Sequence, residues 1–208
     1  MGTIDHKKTL AHLYGPSDKQ VSVVDVPPMN FLMVDGVGDP NTAPAYQAAM
    51  VTLYSVAFTL KFLLKKRGEM DYTVMPLEGL WWVGDLTRFE YDSDKDSWHW
   101  TSMIMQPDEV SQAHVEEAVK GAARKKELPA LSALRFERFH EGLSAQIMHR
   151  GPYSAEKPTI DRLHAYIDDN GYIPRGRHHE IYLGDPRRTA PEKLRTVIRQ
   201  PIEKAVSD

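Results

Sequence analysis

Apolar and polar positions switch between a period of two and a period near 3.6, and the switches divide the chain into elements. Residues 5–14 (DHKKTLAHLY) predict one short helix, closed by Gly15-Pro16-Ser17. Residues 21–26 are rich in valine and predict a strand. Pro27-Pro28 makes a corner, because proline removes a ladder donor, and residues 30–37 (NFLMVDGV) form the next strand. Gly38-Asp39-Pro40-Asn41-Thr42 is a turn with Asn41 or Thr42 as N-cap of a helix over about residues 43–67, stopped by Gly68. Residues 72–77 read as a strand that Glu78-Gly79-Leu80-Trp81-Trp82 continues or bends. Residues 92–96 are a polar turn, and residues 98–105 (WHWTSMIM) a strand ending at Gln106-Pro107.

A second stretch follows. Residues 111–126 form a charged helix with one narrow apolar stripe at Val115, Ala118, Val119 and Ala122. Strands are expected over residues 134–139 and 143–148, with His140-Glu141-Gly142 as the hairpin turn. Gly151-Pro152-Tyr153-Ser154 turns into a helix over about residues 155–169, ended by Asn170-Gly171. Residues 179–183 read as a strand closed by Asp185-Pro186, and a short helix near Pro191 leads to a last strand over residues 194–200.

Both stretches read strand, strand, helix, strand, strand, and this internal repeat is the strongest feature of the pattern. Val37-Gly38-Asp39-Pro40 matches Arg150-Gly151-Pro152-Tyr153, and Ile104-Met105-Gln106-Pro107 matches Ile198-Arg199-Gln200-Pro201. The expected fold class is α+β, with duplicated ββαββ units about a pseudo-twofold axis and a ligand cleft at the seam. Residues 1–18 would be a helical extension and residues 19–208 a single domain. Its first repeat is about 20–108, its connecting helix about 110–128 and its second repeat about 133–202.

Composition narrows the function classes. The 208 residues are 41% apolar and 26% charged, as in a globular protein. There is no cysteine, which excludes disulfides, thiolate catalysis and sulfur-held zinc and suits the reducing cytoplasm. A net charge of -3 argues against general nucleic-acid binding. The N-terminus has no apolar signal-peptide core. The most apolar run, residues 43–64, is broken by Tyr46, Gln47, Thr52, Tyr54, Ser55, Thr59 and Lys61, so it reads as a core helix rather than a membrane span.

Two carboxylates stand out. In HHEIYL, alternation puts Ile181 and Leu183 toward the helices and His178, Glu180 and Tyr182 on the other side. Glu180 among aromatics suits a cation or a proton; the plainer reading pairs it with Arg175 or Arg177. Glu78 is flanked by Trp81 and Trp82 and softened by Gly79, and tryptophan offers the best π-face for a cation; the plainer reading is an edge glutamate beside two core tryptophans. If Glu78 and Glu180 face one cleft, they either neutralise a cation or act as acid and base on water. Trp98 and Trp100 share a strand face, and Tyr46 and Tyr54 one side of a helix. Met33, Met103, Met105 and Met148 would make an adaptable apolar wall; core packing explains these residues as well. His178-His179 is no metal pair, since neighbouring strand residues point apart, and no metal or cofactor is expected. No phosphate loop or nucleophile elbow occurs, and Arg175, Arg177, Arg187, Arg188, Arg195 and Arg199 read as a solvated rim.

HRGPY (149–153), L-x-x-Y-I (163–167) and EIYLGDPRRTAPEKLRTVIRQPI (180–202) closely resemble the C-terminal repeat of the GyrI-like small-molecule-binding family. Residues 26–47 and 75–107 resemble one subgroup of it, so the likeness covers about residues 20–202. It implies two ββαββ units around a concave, sheet-lined cleft. It favours Glu180 and carries Tyr153 over as a cleft residue; with the residues read above, the expected lining is Glu78, Trp81, Trp82, Trp100, Tyr153, Glu180, Tyr182, Tyr54, Met105 and Met148. The implied partners are bulky aromatic or lipophilic, often cationic, small molecules, without direct contact to nucleic acid or membrane. Fewer than about 20 residues precede the first strand, too few for the helix-turn-helix of related activators. Some stand-alone relatives hydrolyse cyclopropane-bearing DNA-alkylating natural products, which makes catalysis by Glu78 and Glu180 the alternative. The founding member acts on gyrase; the modest net charge here gives little sign of the acidic surface such binding needs.

Overall fold

The computed structural model describes residues 2–84 and 94–205. Two short helical turns, α1 (His6–Thr9) and α2 (Ala11–Tyr14), replace the single helix expected there, because Leu10 leaves helical geometry between them. Then come β1 (Ser22–Val26), β2 (Met29–Val37), α3 (Pro44–Arg67), β3 (Leu77–Trp82), β4 (His99–Gln106), α4 (Gln112–Ala123), β5 (Arg135–Phe139), β6 (Gly142–Arg150), α5 (Lys157–Asp169), β7 (Tyr172–Pro174), β8 (His178–Tyr182) and β9 (Arg195–Lys204). The fold class is α+β, as expected, and the strands form one large antiparallel sheet.

Pro44 sits in the first turn of α3, where its missing N–H costs nothing. Gly68, at φ 71°, closes the helix in the left-handed region, and the Glu69 N–H donates back to the Leu64 carbonyl. The helix is long and apolar enough to cross a membrane by length and composition alone. Its fully buried Leu53, Val56, Ala57 and Leu60 instead pack into the core, against β2, β4 and α4. The strand expected over residues 72–77 begins only at Leu77; before it, Tyr72 makes a single bridge to Ile4. The three-residue β7, which pairs with β9, was not expected. In the polar turn, Asp94 caps a short 3-10 turn, while Asp92 and Ser93 lie outside the described residues.

The sheet order is β1-β6-β9-β8-β3-β4-β2-β5. It reads the same from either end if β1 exchanges with β5, β2 with β6, β3 with β8 and β4 with β9. The midline is therefore the β3–β8 pair. Directly opposed residues share a sheet face, and neighbours along a strand do not. The register Gly79↔Glu180 and Trp81↔His178 defines one face, and Glu78↔Ile181 and Leu80↔His179 the other. Glu180 is opposite Ile198, which packs with Ala145 and Ile147 under Ile160, Leu163 and Ile167 of α5. Tyr46 of α3 packs on Trp81 and Trp100. The long helices thus cover the face of Glu180, not that of Ile181, the reverse of the expected orientation. We call this the helix face; the other is covered at its centre by α2.

A buried ion network ties α2 down. Tyr14 Oη donates to Glu78 Oε1 (2.8 Å), and both ring nitrogens of His179 bond carboxylates, Nε2 to Glu78 (3.0 Å) and Nδ1 to Glu141 (2.9 Å). Arg199 Nη1 donates to Glu141 (2.9 Å), Nε to Gln146 (3.0 Å) and Nη2 to the Leu13 carbonyl (2.7 Å). Gln146 Nε2 donates to the His12 carbonyl (2.6 Å). Arg199 is thus buried, and not part of a solvated rim. Two positive and two negative groups balance, as buried charges require. Burial disfavours the His179 imidazolium, but Glu141 and Glu78 outweigh it and raise its pKa to about 9. Burial likewise opposes ionisation of Glu141, and His179 and Arg199 override it, lowering that carboxyl to about 2.

The signs give a pH profile. The folded pKa of His179 is raised, so its contribution is complete below the ordinary value of 6.5 and lost as pH climbs through about 9. That of Glu141 is lowered, so its contribution is complete above 4.5 and lost as pH falls toward 2. Denaturant unfolding should show a loss on the order of 3 kcal/mol between about pH 6.5 and pH 10; a flat profile there contradicts the assignment. Glu141→Gln leaves two buried cations short of a partner and should cost about 3–5 kcal/mol at neutral pH.

Candidate functional site

At the midline, β3 and β8 present Gly79, Trp81, His178, Glu180 and Tyr182 to the helix face. Gly79 explains how the indole fits. A Cβ there would lie 2.7 Å from Trp81 Nε1, so only glycine lets the ring fold back over the strand. Gly36 does the same for Trp100, whose ring would stand 2.1 Å from an added Cβ. Tyr46 of α3 closes on both, 5.8 Å from the Trp81 ring and 5.1 Å from the Trp100 ring, the latter edge-on. Trp98 meets Trp81 edge-to-face at 5.7 Å. Across Glu180, Tyr153 packs on Tyr182 at 5.4 Å. Tyr54, about two turns beyond Tyr46 on α3, is near enough to Tyr153 to affect its ionisation.

Hydrogen bonds orient the carboxylate. Trp81 Nε1 donates to Tyr182 Oη (3.0 Å), which donates to Glu180 Oε2 (2.7 Å), and His178 Nε2 lies 3.2 Å from Oε1. Glu180 is 7% exposed, and among the described residues no lysine or arginine pairs with it. Arg175 instead donates to the Ile202 and Glu141 carbonyls, and Arg177 to Thr101, so neither fills the role of its partner. Burial and then the Glu180 charge push the Tyr182 phenol well up, and burial with Glu156 and Glu180 lifts Tyr153 to about 12. These phenols are therefore neutral donors at ordinary pH.

A second carboxyl, Glu156, enters the site from the start of α5. It is 1% exposed, and burial first, then the charge on Glu180, hold it well above the usual carboxyl range. The pair thus offers an acceptor beside a proton donor, ringed by aromatic faces.

Glu180, Trp81, Trp100, Tyr153, Tyr182 and Tyr54 thus belong to the helix face. Four expected lining residues do not, because strand parity sends them to the other side. Glu78 is held by Tyr14 and His179. Trp82 stacks on His99 at 5.5 Å with the Arg177 guanidinium 3.7 Å above it. Met105 opposes Phe31, and Met148 opposes Val197, both in the apolar core. Glu78 and Glu180 therefore share no cleft. Sequence reasoning did not propose Glu156, which carries no periodic signal, nor His178 as a partner of Glu180. Among the described residues, no three His, Asp or Glu side chains are grouped to hold a metal. A separate open groove of about 500 Å³ lies between α4 and β5, lined by Val115, Val119, Leu131, Leu134 and Phe136 among others.

Residues 19–203 match the GyrI-like small molecule binding domain. Among solved structures, the chain is similar to an uncharacterized conserved protein from Listeria innocua, at 40% identity over 97% of this chain and 100% of that one, with a TM-score of 0.89. It is also similar to a hydrolase from Listeria innocua, at 39% identity, the same coverage and a TM-score of 0.82. The EcmrR C-terminal domain shares the fold at 14% identity, over 89% of this chain and 98% of that one, with a TM-score of 0.52. No curated protein matches the chain. The chain belongs to the GyrI-like small-molecule-binding family.

The glycine seats are testable without a ligand. Gly79→Ala should displace the Trp81 indole, break its bond to Tyr182, alter the near-ultraviolet circular dichroism and cost about 1–3 kcal/mol. An unchanged spectrum and unfolding midpoint would show that the ring does not rest on Gly79.

Proposed function

We propose that this chain binds a bulky, lipophilic aromatic cation on the helix face, with Glu180 as counter-charge and Trp81, Trp98, Trp100 and Tyr46 as π surfaces. The observation that carries this reading is a buried carboxylate ringed by aromatics, with His178 beside it but no lysine or arginine on it among the described residues. A buried charge normally has a paired opposite charge; a cationic ligand would supply one. Each well-placed indole adds about 0.5–2 kcal/mol of cation–π attraction. Membership of a small-molecule-binding family is consistent with it.

Rhodamine-type dyes or tetraphenylphosphonium should quench the tryptophan fluorescence. Glu180→Gln should weaken binding by about tenfold or more, the effect of removing one charge-assisted contact. Glu78→Gln, on the other face, should lower stability and leave the affinity of the folded protein close to wild type. Equal affinities for wild type and Glu180→Gln, or a loss confined to Glu78→Gln, would contradict this reading.

A second reading is hydrolysis, favoured by the 39%-identical Listeria innocua hydrolase and by the Glu156–Glu180 pair. Glu180 would take a proton from water as its oxygen attacks the strained carbon of a cyclopropane-bearing alkylator. The ring C–C bond would break toward the substrate's own carbonyl, and Glu156 would protonate the oxygen that receives the electron pair. Mass spectrometry should then find a ring-opened product heavier by one water. Unchanged compound after long incubation excludes this for the substrate tried.

A further inference from the structure

Resting on the cation-site reading above, we propose that Glu156 is a proton-exchanging partner of Glu180, so that a lipophilic cation enters the helix face as a proton leaves. Three observations point there. Glu156 is 1% exposed although it starts a surface helix. Its Oε1 is fully buried and meets no hydrogen-bond donor among the described residues, whereas buried polar oxygens are almost always bonded. It is turned toward Thr196 of β9, which is registered with Tyr182 of β8, and so faces the end of the strand that carries Glu180. An unbonded buried oxygen aimed at an acidic aromatic site is a contact that a ligand would complete.

The proton follows from charge. Two carboxylates in one desolvated space repel, and one holds its proton until a positive charge arrives. The cation then replaces the proton: the neutral Glu156 carboxyl and the cation give the cation–carboxylate pair and one free proton.

The tyrosines, His149 and Asp185 around the pair do not supply that proton. Tyr46 and Tyr54 from α3, Tyr153 from the turn before α5 and Tyr182 from β8 are all shifted upward, chiefly by burial, and stay neutral. His149 of β6 is shifted downward, again by burial, and its ring nitrogens lie on Thr159 and the Pro152 carbonyl. Asp185, beyond β8, is held ionised by Arg187. His178 of β8 lies on Glu180 itself, and proton release from its ring would persist in Glu156→Gln.

The test is calorimetric titration of the wild-type protein with tetraphenylphosphonium at several pH values, each in two buffers of different ionisation heat. Affinity should rise close to tenfold per pH unit across the range in which Glu156 titrates, with about one proton released. Glu156→Gln should bind with an affinity independent of pH and release none. The carboxyl carbon resonance of Glu156 in the wild type, followed by NMR, should move from the protonated to the ionised position on adding the cation. That signal stands even if the variant fails to fold. A flat wild-type affinity without proton release overturns this proposal and leaves the cation site standing, as does release that persists in Glu156→Gln. Absence of binding at every pH overturns both.

Discussion

The pairing of β3 with β8 joins the two halves of the sheet, and each strand carries a glutamate close to the seam. Strand side chains alternate, so the register Glu78↔Ile181 and Gly79↔Glu180 sends the two carboxylates to opposite faces. A slip of one residue would bring both to one face and turn every side chain of the slipped strand to the opposite side. Each glutamate then meets a different fate. Glu78 is neutralised within the chain by His179 and serves to dock α2. Glu180 has tyrosine and histidine contacts but no lysine or arginine on it among the described residues, and in the proposed reading a bound cation supplies the counter-charge.

The two faces support one another. The network of Tyr14, Glu78, His179, Glu141 and Arg199 is costly to desolvate, and apolar residues of the same volume would often be as stabilising. What it adds is position. Through Leu13 and His12 it fixes the N-terminal helices over the back of the midline, and it locks the register of β3, β6, β8 and β9 from behind. With the register locked, Gly79 and Gly36 stay beneath Trp81 and Trp100, and the indoles hold their geometry.

Much of this was legible in the chain. β-branched and apolar runs between turn signals located most strands, and the sheet order reads alike from both ends. Glu180, Trp81, Trp100, Tyr182, Tyr153 and Tyr54 were named from aromatics near a carboxylate and from family resemblance, and they come to the helix face. Strand parity was the main error. Trp81 and Trp82 are adjacent and cannot line one surface, and Glu78 differs from Trp81 by an odd number of positions. Other features had no local signal. Residues 72–77 resemble a strand in composition, yet only the bridge to Ile4 shows how they are used. Glu156 looks like any charged residue at a helix start, and Glu141 like a hairpin turn. Their burial depends on contacts from distant parts of the chain.

A crystal structure of the protein with tetraphenylphosphonium bound would test the central claim most directly. The account predicts the cation on the helix face, over Trp81 and within contact of Glu180. A cation seated instead against Trp82 and Arg177, or in the groove between α4 and β5, would contradict it.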